Sequence, residues 1–167
     1  DFFNYYRACR EFTLELSNQK LLHPDLLPDF WEYNHRSLLN YIRQSNYGLH
    51  GFTFDNDSGE PVEATVLIQG HDSLGSQVVS SMPFGNYHRP IPGGVYDILY
   101  SAPAYDEVLV RELELQDYHS LNVNIAFGAN TSGELSGVMI STTTGGSVKP
   151  FEGHRLYNMG ARLELEA

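Results

Sequence analysis

The spacing of apolar residues changes period twice along this chain. Over residues 10–16, Phe12, Leu14 and Leu16 alternate with Thr13 and Glu15, which predicts a buried strand with its two polar side chains on one face. Residues 17–28 carry Pro24 and Pro28 and read as loop. From Asp29 to about Ser45, Phe30, Trp31, Leu38, Leu39, Tyr41 and Ile42 recur at helical spacing, so an amphipathic helix is expected there. Pro28 suits its first turn and Gly48 its end. From Leu49 the period falls to two. Residues 50–54 alternate, 55–59 form a dense turn cluster, and residues 62–69, 95–100, 107–115 and 121–127 read as strands. The Ser-rich stretch 71–81 is a candidate third strand with a loop. Short strands separated by regular turn signals predict a mainly β fold, a Greek-key β-sandwich.

After Phe127 the composition shifts to Gly, Ser and Thr. Residues 128–133 and 142–147 read as linkers, and 135–141 and 162–166 as possible strands of a tail that is left unassigned. The expected organisation is therefore 1–47, 48–127 and 128–167. The opening at Asp1-Phe2-Phe3, with no cap and no initiator Met, reads as the end of one domain.

Charge narrows the choice of partners. With 10 Lys and Arg against 21 Asp and Glu the net charge is −11, which disfavours nucleic acid because phosphate neutralisation needs clustered cations. No apolar run approaches the ~20 residues of a membrane helix. Cys9 is the single cysteine, so an internal disulfide and a Cys-x-x-Cys metal knuckle are both excluded. The seven histidines form no His-x-His or His-x-x-x-His pair and read as surface or turn residues; no metal ligand is assigned. The run 55–60 has the acidic look of a calcium loop but the wrong Gly and Glu positions, and reads as a hairpin turn. Asn56-Asp57-Ser58 and Asn130-Thr131-Ser132 fit the glycosylation sequon.

Glu15 is the residue with most chemical promise. A carboxylate at the end of a core strand is either a surface group paired with a cation such as Arg7 or Arg10, or a mounted general acid/base. Several motifs favour the second. Residues 1–16 resemble the last core strand of zinc metallocarboxypeptidases. The run Leu27-Pro28-x-Phe30-Trp31-x-x-Asn34-x-Arg36-Ser37-Leu38-Leu39 resembles the helix that closes the catalytic domain in the carboxypeptidase N/E/D/M subfamily. Residues 51–127 are similar to the transthyretin-like (prealbumin-like) domain appended to that catalytic domain. Their landmarks are Gly85-Asn86-Tyr87-His88-Arg89, Pro92-Gly93-Gly94-Val95-Tyr96 and Ser101-Ala102-Pro103-Ala104-Tyr105.

The resemblance implies the C-terminal part of such an enzyme: a strand and helix from an α/β metallocarboxypeptidase domain, then a transthyretin-like sandwich. It implies Glu15 as general acid/base, Thr13 lining the side-chain pocket, and a peptide substrate hydrolysed at its C-terminal bond. It also implies a secreted or periplasmic parent that binds zinc. The family's zinc ligands and carboxylate clamp would lie upstream, so this chain alone is expected to be inactive and to bind no metal. An isolated strand and helix should expose apolar surface, which predicts self-association or a missing catalytic half docked on residues 1–45. The alternatives are a non-catalytic sandwich that acts as a binding, interaction or folding module, and a parent that has lost catalysis.

Overall fold

A computed structural model describes residues 11, 13–129, 132–140 and 153–163. A short 3-10 turn, Pro24–Leu26, leads into helix α1, Leu27–Gln44. Pro28 sits in its first turn, where a missing N–H costs nothing. Asp29 near the start and Arg43 near the end complement the helix dipole. The Ser45 hydroxyl donates to the Ile42 carbonyl at 2.7 Å and helps close the last turn. No residue of α1 is buried, so the apolar stripe through Trp31, Leu39 and Ile42 faces solvent.

The strand expected over 10–16 is not formed at its described positions. Glu11, Thr13, Leu14, Glu15 and Leu16 carry no regular secondary structure and all are exposed. A strand is stable only beside another, and among the described residues no strand pairs with this segment. Arg10 and Phe12 lie outside the described residues.

Among the described residues nine strands follow: β1 (Gly48–Asp55), β2 (Thr65–Ile68), β3 (Val78–Val79), β4 (Asn86–Arg89), β5 (Gly94–Ser101), β6 (Val108–Leu115), β7 (Ser120–Phe127), β8 (Leu135–Ile140) and β9 (Gly153–Asn158). They form two sheets, one in the order β4-β1-β7-β9-β8 and the other β3-β2-β5-β6. β7 lies parallel to both β1 and β9, and the remaining pairs are antiparallel. The architecture is a β-sandwich. Its core takes Leu49, Val123, Ile125 and Phe127 from the first sheet and Val66, Ile68, Ile98, Val108, Val110, Leu113 and Leu115 from the second.

The inward positions of β6 change parity between Val110 and Leu113. A bulge sets Arg111 and Glu112 against Asp97, and the Glu112 backbone, at φ +50°, would otherwise lose its ladder bond. The Asp97 side chain takes that N–H at 2.8 Å. In β1 the residues facing the core are Leu49, Gly51 and Thr53, while Phe52 and Phe54 turn to the other face. Gly51 is required: a Cβ there would stand 1.7 Å from the Val123 carbonyl oxygen and 2.9 Å from the Tyr87 ring.

Polar side chains in the interior are largely paired, Arg89 Nε being a buried atom with no hydrogen-bond partner among the described residues. Tyr87 donates to the Val123 carbonyl at 2.7 Å and meets the Tyr100 hydroxyl at 2.9 Å, joining the sheets. The Thr53 hydroxyl contacts Ser80 at 2.8 Å and the Val62 carbonyl at 2.6 Å. Arg89 forms an ion pair with the fully buried Asp72, whose second oxygen accepts the Ile68 N–H at 2.8 Å. Asn158 accepts the Ala126 N–H at 2.8 Å and donates back to its carbonyl at 3.1 Å, fastening β9 to β7. The residues after 128 thus extend the first sheet. One of the two tail strands expected from the sequence is β8. The other, expected over 162–166, is not formed at Arg162 and Leu163, and residues 164–166 lie outside the described residues; β9, at Gly153–Asn158, is a strand the sequence reading did not anticipate.

Helix and sandwich meet at two stacked imidazoles. His50 on β1 and His88 on β4 stand opposite one another, ring centroids 4.1 Å apart and 12° from parallel. Their Nε2 atoms lie 3.1 Å from the Asn46 carbonyl and 3.3 Å from the Tyr47 carbonyl, just beyond the end of α1.

Candidate functional site

The segment before α1 places Glu15 at the surface. Its carboxylate borders a shallow hollow with Leu16, Leu22, Leu26 and Phe30, which brings it to the first turns of the helix. Thr13 is exposed and does not line that hollow. Among the described residues Glu15 makes no ion pair, and Arg7 and Arg10 lie outside them. A carboxylate so placed is open to solvent and to any chain that packs on the apolar surface beside it. Among the described residues no group of three or more His, Cys, Asp and Glu side chains converges to hold a metal.

A second feature lies on the outer face of the five-stranded sheet. It is a cleft of about 360 Å³ that the sequence reading did not assign. Its aromatic surface comes from Phe52 and Phe54 on β1, Phe84 before β4, and Tyr157 on β9; Arg155 on β9 and Arg162 add two guanidinium groups. The underlying sheet is linked by hydrogen bonds. Arg155 donates to Asn122 Oδ1 at 3.4 Å, Asn124 donates to the same oxygen at 2.8 Å, and Asn124 Oδ1 accepts the Phe52 N–H at 3.0 Å.

One rim is the 55–59 turn. Asp55 accepts the N–H groups of Asp57 and Ser58 at 3.1 and 2.7 Å and the Ser58 hydroxyl at 2.7 Å, and its other oxygen accepts from Tyr105 at 2.9 Å. These bonds, led by the Ser58 N–H, hold the Asp55 carboxyl below its ordinary value. The opposite rim is tied across: the Arg162 N–H donates to Asn56 Oδ1 at 2.7 Å. Burial pushes the Tyr157 hydroxyl up, against the lowering effect of Arg155. The readable signal for this cleft was the Gly51-Phe52-Thr53-Phe54 alternation. Once Gly51 and Thr53 are assigned inward, two phenylalanines must stand on the outer face.

Similarity to known proteins bears on the helix and the sandwich. The chain is 34% identical over 108 residues to carboxypeptidase E of Caenorhabditis elegans, a match covering 62% of this chain and 23% of that protein. It is 34% identical over 105 residues to carboxypeptidase SOL1 of Arabidopsis thaliana, covering 61% and 21%. A third relative, carboxypeptidase D of Anas platyrhynchos, is 32% identical over 123 residues, covering 72% and 8%. The chain is a carboxypeptidase relative of the N/E/D/M type. It spans less than a quarter of the length of each of these three relatives. No protein-family model matches it. Among the described residues, no helix is long and apolar enough to cross a membrane.

Proposed function

We propose that this chain is the C-terminal part of a secreted or periplasmic zinc carboxypeptidase that removes the last residue of a peptide. Residues 1–47 contribute an acid/base carboxylate and a closing helix, residues 48–127 are a transthyretin-like sandwich, and the strands after 128 extend its sheet. The observation that carries this reading is the similarity to carboxypeptidases E, D and SOL1, together with a carboxylate beside the first turns of an exposed amphipathic helix.

Glu15 would take a proton from the attacking water and return it to the leaving amine, the work of a general base that becomes a general acid. Thr13 would line the pocket for the departing side chain. Zinc would stabilise charge at the peptide carbonyl. On this reading its ligands belong to another part of the longer protein; the described residues of this chain hold no group of three or more His, Cys, Asp and Glu side chains that fits a zinc ion. The exposed face of α1 is where that part would dock, and a second copy of this chain is the other candidate for the same face.

A carboxylate with no metal and no clamp for the substrate has nothing to act on, so the chain alone is inactive. Release of C-terminal residues from a peptide mixture, followed by mass spectrometry with and without zinc, tests this. The longer protein should release them only with zinc and the 167-residue chain should not. Zinc-dependent release by the chain alone, or none by the longer protein, would contradict the proposal.

A further inference from the structure

We infer that a second cleft, between the end of helix α1 and the turn joining β6 to β7, binds a quaternary ammonium cation. This rests on no part of the carboxypeptidase reading: the cleft shares no residue with the Glu15 hollow. It has a volume of about 330 Å³ and is lined by Gln44, Tyr47, Ile91, Pro92, Asp117 and Tyr118. The Tyr47 and Tyr118 rings meet edge to face, centroids 5.7 Å apart and planes 79° apart, and so form a corner of two aromatic surfaces. Such ring faces attract cations through their quadrupole. Tyr118 is strained: its backbone stands at φ +60°, a left-handed conformation disfavoured for a bulky residue. Its side chain is 75% exposed and adds nothing to the core, so packing does not account for the strain and a ligand contact does.

Charge and rigidity support the assignment. Asp117 Oδ1 accepts the Gly93 N–H at 2.9 Å, which fixes the carboxylate, and among the described residues Asp117 forms no ion pair. The His119 imidazole meets the Asp117 backbone carbonyl at 2.8 Å and not the carboxylate. The Tyr96 hydroxyl, which donates to the Pro92 carbonyl, is pushed up by burial and then by the Asp117 charge. Gln44 is the last residue of α1, so the negative end of the helix dipole adds to that charge; Arg43 of the same turn does not line the cleft. Gly93 lets the turn pack closely, since a Cβ there would stand 2.5 Å from the Asp117 nitrogen, and little ordering remains to be done on binding. Two tyrosine rings, Ile91 and Pro92 make most of the lining carbon, which suits methyl groups around a charge better than the strongly hydrated N–H groups of a primary ammonium.

The test is a titration of the full chain with choline chloride in place of sodium chloride at constant ionic strength, followed by amide chemical shifts. Saturable shifts at Gln44, Gly93 and Tyr118 are expected, with a Kd of about 1–10 mM for a ligand of this size. Neutral 3,3-dimethylbutan-1-ol keeps the shape without the charge, and ammonium chloride keeps the charge without the methyl groups. Each should bind about fivefold more weakly or worse. Asp117→Asn keeps an oxygen for the Gly93 N–H, and Tyr118→Leu keeps apolar bulk at an exposed position. Both should fold, with affinity lowered about three- to tenfold. Glycerophosphocholine carries the same cation beside a phosphate. Binding tighter than choline assigns the site to lipid headgroups, weaker binding assigns it to free cations, and either order supports the site. Absence of saturable shifts at about 50 mM, equal binding of the neutral alcohol or of ammonium, or unchanged affinity in both variants would overturn the inference.

Discussion

Tyr87 and Tyr100 meet hydroxyl to hydroxyl between the two sheets, and their roles differ. Tyr87 gives its proton to the Val123 carbonyl and receives one from Tyr100, while burial pushes both hydroxyls up and keeps them protonated. Tyr87→Phe strands a buried carbonyl and a buried hydroxyl, whereas Tyr100→Phe strands nothing that lacks a second bond. Urea unfolding should therefore give a loss of about 2–3 kcal/mol for the first and about 1 kcal/mol for the second. Equal losses would contradict the donor order. Asp55 makes a pH-dependent contribution. Its carboxyl is held below the ordinary value, so its stabilisation is complete above the unfolded value of 3.8 and is lost as pH falls through the lowered folded value. Asp55→Asn should flatten the stability profile below about pH 4, and an unchanged slope would refute this. Tyr105, its partner, is raised chiefly by the same hydrogen bond and loses its contribution only in strong base.

Elements differed in how far the sequence revealed them. Helix α1 was legible because its apolar spacing, Pro28 and Gly48 all agree. β1, β2, β5, β6 and β7 were legible because apolar residues alternate there. β4 was not read as a strand: its inward residues are Tyr87 and Arg89, polar groups held in the interior by bonds to Val123, Tyr100 and Asp72, although Arg89 Nε has no partner among the described residues. β9 was hidden for a related reason, since its buried Tyr157 and Asn158 are neighbours and show no alternation. The described positions 11 and 13–16 show the opposite limit, where a strand pattern goes unfulfilled with no neighbouring strand among the described residues. The helix supplies a prediction of its own. Trp31, Leu39 and Ile42 are each more than half exposed on one face, which should drive association. Sedimentation velocity should show concentration-dependent dimers that Trp31→Lys with Ile42→Lys abolishes. A monodisperse monomer at high concentration would count against this face as an interface.

At the scale of the whole molecule, the described part of the sandwich has a continuous core and largely paired polar groups, whereas helix α1 has no buried residue and the described positions 11 and 13–16 before it are exposed. That asymmetry agrees with a chain that matches less than a quarter of each of three carboxypeptidases. Of the two sites, Glu15 is proposed only through family motifs, because on its own it is a surface carboxylate. The aromatic cleft was not assigned, because it gathers residues from positions 52 to 163 that only the parallel β1-β7-β9 arrangement brings together. The most direct measurement is hydrolysis by the longer protein carrying Glu15→Gln, with bound zinc quantified in the same sample. A kcat lowered by about 10²–10⁴-fold with zinc retained is the predicted result. A kcat unchanged at full zinc occupancy would contradict the assignment of Glu15 and, with it, the reading of residues 1–47 as part of an active centre.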